Sequence, residues 1–144
     1  MSIVIIGNGV AGVTAARTIR KLDPQVGITI VSGESDHHWS RPALMYIYMG
    51  HMRLKDTEPY EPHFWSRNRI DLLRGYVTGV DVAARAVKLA GGTSLRYDKL
   101  LIATGSQPNR FGWPGQDLAR VQGMYSLQDL ELLEQNSVGL KTAV

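Results

Sequence analysis

The chain opens on an apolar run and then changes period. Ser2 to Ile6, SIVII, is polar only at Ser2 and rich in β-branched residues, the pattern of a strand buried on both faces of a parallel sheet. From Val10 to Leu22 the apolar positions take helical spacing. Val13, Ala16 and Ile19, with Ala15 and Leu22, fall on one side, and Thr14, Arg17, Arg20 and Lys21 fall elsewhere. Basic residues in the last turn suit the helix dipole, and Asp23-Pro24 stops the helix. Gly27 to Val31, GITIV, is a second β-branched run, so strand, glycine turn, helix and strand form a βαβ unit.

Further on, Arg41 to Gly50 begins with an Arg-Pro pair and becomes densely apolar and aromatic, with Pro42 well placed at a first helical position. A shorter helix is expected within Tyr60 to Arg67. From Ile70 the segments IDLLRG, YVTGVDV, AVKLA and SLRYD are short and broken by glycine and alanine turns, which predicts an antiparallel meander. Lys99 to Ala103, KLLIA, is apolar again and should return to the central parallel sheet before Thr104-Gly105. Phe111 to Gln116 reads as a loop. Ser126 with Asp129 three residues later reads as a helix cap leading into LQDLELLEQN. The fold class expected is α/β, with a central parallel sheet, a helix on one face and a three-stranded antiparallel meander on the other.

Composition narrows the function. At 144 residues with 44% apolar and 20% charged content, the chain suits about one folded domain. Its net charge is +3, but the basic residues are scattered, which argues against nucleic-acid binding. There is no cysteine, so disulfides, thiolate metal sites and thiol chemistry are excluded from this segment. No run approaches the ~18 apolar residues of a membrane span, and a cytoplasmic location is expected. His37-His38 lacks a second cluster of ligands and reads as a polar loop, so no metal site is expected. Met45, Met49 and Met52, with Tyr46 and Tyr48, are expected to pack in a core or between domains; Trp65 and Trp113 are read as packing residues.

The chemistry concentrates at the first turn. Gly7-x-Gly9-x-x-Gly12 follows a strand and opens a helix, the context in which that spacing holds a dinucleotide diphosphate. The first Gly permits the tight turn, the second lets backbone N–H groups approach the phosphates, and the third lets helix and strand pack closely. Glu34 lies three residues past Val31, near the distance at which a carboxylate meets ribose hydroxyls, with Asp36 as its rival. A plain structural turn and a solvated loop acid are the competing readings.

VIIGNGVAGVTAA, SGESDHHWSRPAL, LRYDKLLIATGSQP and YSLQDLELLEQ together resemble the FAD-dependent pyridine nucleotide-disulfide oxidoreductase superfamily, nearest its rubredoxin/ferredoxin reductase and nitrite-reductase-like branches. The resemblance implies a Rossmann-like three-layer FAD-binding domain, of which residues 1–144 would be the N-terminal part. It implies that Gly7, Asn8, Gly9, Val10, Ala11 and Gly12 wrap the FAD pyrophosphate and that Glu34 takes the adenosine ribose. Arg41 and Pro42 match an Arg-Pro pair beside the pyrophosphate and flavin, where a guanidinium fork suits phosphate oxygens; a surface Arg before a helix is the alternative. Val77 matches the position whose backbone meets adenine, and Ala103, Thr104 and Gly105 match a loop passing close to the diphosphate.

The departures are informative too. The superfamily's redox cysteines are absent, and Tyr46 stands where many Arg-Pro relatives carry a Lys. The resemblance therefore implies an NAD(P)H-dependent flavoprotein that passes electrons through FAD to a non-thiol acceptor, either a redox partner protein or a small molecule. No catalytic acid or base is assigned. LKTAV, residues 140–144, reads as the opening of a strand leading to a second, NAD(P)H-binding glycine motif that this chain does not reach. The chain is thus expected to be a piece of a longer enzyme, inactive alone, with homo-oligomer contacts through faces left uncovered. Two other readings stay open: a stand-alone Rossmann module for NAD or another nucleotide, and an interaction protein on this scaffold.

Overall fold

In the computed structural model, which describes residues 1–142, the chain divides into two compact units. The first comprises Met1–Trp39 and Glu58–Gly105, and the second comprises Ser40–Thr57 with the residues from Ser106 onward. In chain order the elements are β1 (Ser2–Ile6), α1 (Val10–Leu22), β2 (Gly27–Ser32), α2 (Leu44–Tyr48), α3 (Pro62–Arg67), β3 (Ile70–Arg74), β4 (Val77–Asp81), β5 (Ala86–Leu89), β6 (Ser94–Arg96), β7 (Lys99–Ile102) and α4 (Leu127–Ser137), with 3-10 turns at Arg41–Ala43 and Leu54–Thr57.

The first unit has the expected α/β layering. Four parallel strands run in the order β3-β2-β1-β7, and β4, β5 and β6 form a separate antiparallel sheet. Alternation along β1 feeds two cores. Ile3 and Ile5 join Val13, Ala16, Ile28, Ile30, Trp65 and Ile70, while Val4 and Ile6 join Val31, Val87 and Leu89. The first cluster is the helix side and the second is the meander side, so the apolar run in β1 reflects burial on both faces. Each fully buried Ile or Val contributes about 1.5–3 kcal/mol of burial free energy.

The second unit holds α2, both 3-10 turns and α4. The Ser40 N–H donates to the Thr57 carbonyl at 2.9 Å, closing the 40–57 segment on itself. α2 packs against α4, and each buries one leucine, Leu44 and Leu130. The expected cap is present: Ser126 Oγ accepts from Asp129 N, and the Asp129 carboxylate accepts from the Ser126 N–H.

Several sequence expectations are corrected. Ile70–Arg74 is not an arm of the meander but a parallel partner of β2, with Ile28 opposite Ile70 and Ser32 opposite Arg74. The short apolar run carries no mark of strand direction, and the buried Ile70 docks it on the helix-side core. Leu22, at the last position of α1, is exposed. Of the two placements expected for Met45, Tyr46, Tyr48, Met49 and Met52, the core one does not hold: all five are exposed, and five-residue α2 buries only Leu44. Trp65 is buried as expected, whereas Trp113 is exposed and stacks on Phe111 at 5.3 Å. Residues 140–142 form no strand, and the rest of the expected strand opening lies outside the described residues.

Candidate functional site

The strand order places the site. β1 lies between β2 and β7, so the chain's path across the sheet reverses at β1, and ligands of open α/β sheets bind beyond the carboxyl ends of the strands at such a point. Gly7 leaves β1 there, its N–H donating to the Val31 carbonyl at 2.8 Å, while the Ala103 N–H donates to the Ile6 carbonyl at 2.8 Å. The 7–12 turn, the start of the Glu34 loop and Ala103 therefore converge at one end of the sheet.

The three glycines do different work. Gly7 has φ +109, and a Cβ there would run into the Ala103 carbonyl. A Cβ on Gly12 would run into the Gly7 carbonyl and approach Ile5 Cγ2 at 3.2 Å. Gly9 differs: nothing lies within 4 Å of its missing Cβ, so it faces open space. Gly9 is also the N-cap of thirteen-residue α1, with no side-chain cap and no acid in the first turn. The N–H groups of Val10, Ala11 and Gly12 begin a helix whose dipole favours an anion, beside a position bare enough to admit one. These residues fit a nucleotide diphosphate.

Glu34 stands on the half-buried loop after β2, its N–H donating to Ser32 Oγ at 3.2 Å. The rival acid Asp36 is exposed and faces Arg74 Nη1 at 3.8 Å. Tyr76, which sequence reasoning passed over, lies beside this loop: a Cβ on Gly33 would meet Tyr76 Cδ2 at 3.0 Å. Val77 opens β4 next to a register shift between Val77 and Gly79 and packs against the meander-side core. Thr104 and Gly105 follow Ala103 out of β7 and are exposed, with Gly105 at φ +74.

Asn8 has a role that the motif did not reveal. It is buried, and its Nδ2 donates to Ser35 O at 3.0 Å, Ser35 Oγ at 3.1 Å and His37 O at 3.2 Å. His38 Nδ1 lies 2.8 Å from the Asn8 carbonyl; since a carbonyl only accepts, Nδ1 carries the hydrogen. Burial pushes the His38 pKa below its ordinary value, against the opposing pull of that bond. His37 in turn faces Glu58 at 3.7 Å.

Arg41 and Pro42 belong to the second unit. Pro42 lies in the 3-10 turn that precedes α2, and Arg41 engages Tyr125, whose hydroxyl is 3.0 Å from Ser106 Oγ. Among the described residues no group of three His, Cys, Asp or Glu side chains could hold a metal ion, and no helix is long and apolar enough to cross a membrane.

Comparison with known proteins agrees with the α/β fold. Residues 1–144 match the family described as pyridine nucleotide-disulphide oxidoreductase. The chain is 31% identical over 140 residues to a rubredoxin-NAD(+) reductase of Pseudomonas putida, covering 96% of this chain and 36% of that one. It is 32% identical over 148 residues to a probable ferredoxin reductase of Castellaniella defragrans, covering 99% and 34%. The crystal structure of a ferredoxin reductase from Rhodopseudomonas palustris superposes with a TM-score of 0.82 at 25% identity, over 95% of this chain and 34% of that one. The chain thus spans about a third of the length of these relatives.

Proposed function

Because the chain belongs to the pyridine nucleotide-disulphide oxidoreductase family, we propose that its first unit holds the ADP half of FAD, in a protein that passes electrons from NAD(P)H through FAD to a non-thiol acceptor. Members of this family bind FAD and take NAD(P)H as co-substrate. The observation that carries the reading is the uncapped N-terminus of α1 behind an open Gly9, at the carboxyl end of the central strand.

The residues divide the task. The N–H groups of Val10, Ala11 and Gly12 bind the diphosphate, and Gly9 lets it approach. Glu34 accepts hydrogen bonds from the ribose hydroxyls, and its charge repels a 2′-phosphate. Tyr76 and the Val77 backbone flank the adenine, and Ala103–Gly105 keep the far wall low. Arg41, on the second unit, keeps the phosphate-pairing role that the family resemblance implies for it. FAD, when bound, supplies the hydride acceptor and electron carrier, and the protein's part is to hold and orient it. With no cysteine among its 144 residues, this segment supplies no thiol to a relay; the acceptor is taken to be a small redox protein of the rubredoxin or ferredoxin kind named for the relatives.

Calorimetric titration of the chain with FAD, ADP and NAD tests the assignment. Binding of FAD and ADP that weakens in Gly9→Ala and Glu34→Gln is expected. NAD binding as tightly as FAD would instead favour a plain dinucleotide module, and a chain that binds none of the three overturns the reading.

A further inference from the structure

We propose that Asn8 and His38 form a reciprocal clasp that sets the position of Glu34 against the glycine turn, making both of them positioning residues for the adenosine ribose. The proposal rests on the dinucleotide reading of that turn. The contacts run both ways between two segments distant in sequence. The Asn8 side chain holds the backbone of Ser35 and His37, and the His38 side chain holds the backbone of Asn8.

Glu34 is caught between two anchors. On its N-terminal side, Ser32 Oγ accepts from the N–H groups of Glu34 at 3.2 Å and Ser35 at 3.4 Å. On its C-terminal side, Asn8 grips Ser35 by carbonyl and hydroxyl, and Ser35 Oγ donates onward to the His37 carbonyl at 2.8 Å. Gly33 is pressed close to Tyr76, which closes the third side. A carboxylate that must meet ribose hydroxyls within hydrogen-bond reach gains from a loop with so little freedom.

The chemistry of each residue fits this use. Two of the three acceptors facing the Asn8 amide are carbonyls, so the NH2 group is fixed toward them and an aspartate could not replace it. Asn8 is buried, so water is poorly placed to take over its bonds. The His38 bond engages the carbonyl of the residue between Gly7 and Gly9, an acceptor that would otherwise stand bare near an incoming anion.

The test uses ADP and inorganic pyrophosphate as paired calorimetric probes of the 144-residue chain. Asn8→Ala and His38→Leu should each weaken ADP binding by about tenfold while changing pyrophosphate binding by less than about threefold. His38→Asn, which keeps a donor at the same point of the side chain, should recover most of the loss. The double variant should lose little more than either single, since both break one clasp. Equal loss for the two probes, no loss, or additive losses without rescue overturns the proposal. Wild-type chain that binds neither probe sinks the dinucleotide reading instead. The clasp is then judged without ligand by nitrogen-15 spectra of His38: a proton on Nδ1 upholds it and a proton on Nε2 overturns it.

Discussion

The Arg41 guanidinium holds Tyr125 at two points, with Nη1 donating to its carbonyl at 2.5 Å and Cζ lying 4.5 Å from its ring centroid. The ring takes up part of the charge through its face, and the carbonyl fixes the fork's direction. Tyr125 in turn is tied to α4, because its N–H donates to the Asp129 carboxylate at 2.9 Å. In the whole protein, Arg41→Lys should lower FAD affinity about tenfold, and Tyr125→Leu should lower it by less. Tyr125→Phe, which keeps the ring, should leave it within about twofold. Flavin fluorescence on titration reads all three.

The glycines of the turn separate folding from binding. Gly7→Ala forces a side chain into the Ala103 carbonyl at a left-handed φ and should cost about 3 kcal/mol or more in urea unfolding. Gly9→Ala meets open space at an extended backbone, so its stability should stay within about 1 kcal/mol of wild type. Its loss should appear only in nucleotide titration. If Gly9→Ala unfolds as easily as Gly7→Ala, the assigned division of labour is wrong.

The N-terminus of α4 was legible from the sequence, and it gives a simple test. Ser126→Ala removes the acceptor for Asp129 N at 3.1 Å and should destabilise the second unit by about 1 kcal/mol. Hydrogen exchange along residues 127–137 should quicken while β1 and β2 keep their protection.

His38 predicts a pH dependence. Its folded pKa is lowered by burial, so the unfolded chain binds the proton more readily. Stability from this residue is therefore present above the ordinary histidine value near 6.5 and is lost as pH falls through the folded pKa. Urea midpoints should drop as pH is lowered from 7 toward 5, and His38→Asn should flatten that slope. The His37–Glu58 pair and the Arg17–Tyr60 contact lie nearby, and the substitution changes none of those four residues, so the difference between the two proteins reports on His38.

Local patterns were readable in the chain; contacts across it were not. Val10–Leu22 was bounded from its 3.6-residue spacing and the Asp23-Pro24 stop, and the helix has those limits. Ser126 and Asp129 sit three residues apart, so their cap was visible as well. By contrast, whether Ile70–Arg74 pairs parallel or antiparallel depends on where α3 delivers the chain, which no periodicity records. The apolar residues after Pro42 fit either a core or a face between domains, and their spacing does not separate the two; in this chain only Leu44 of α2 is buried. At the site, the glycine spacing announced the turn, but the Asn8 bonds to Ser35 and His37 join residues 27 and 29 positions apart, and nothing in either stretch names the other.

The close approach of Gly7 to Ala103 sets an order of events during synthesis. The turn's floor is supplied by the exit of β7, and the Ser2–Asp98 bonds that anchor this pairing span 96 positions. Such distant partners meet late, after local helices and hairpins have formed. A ribosome-bound chain shorter than about a hundred residues would therefore carry the whole glycine signature without the pocket it encodes. Capture of nucleotide by nascent chains of increasing length should begin abruptly once β7 has emerged.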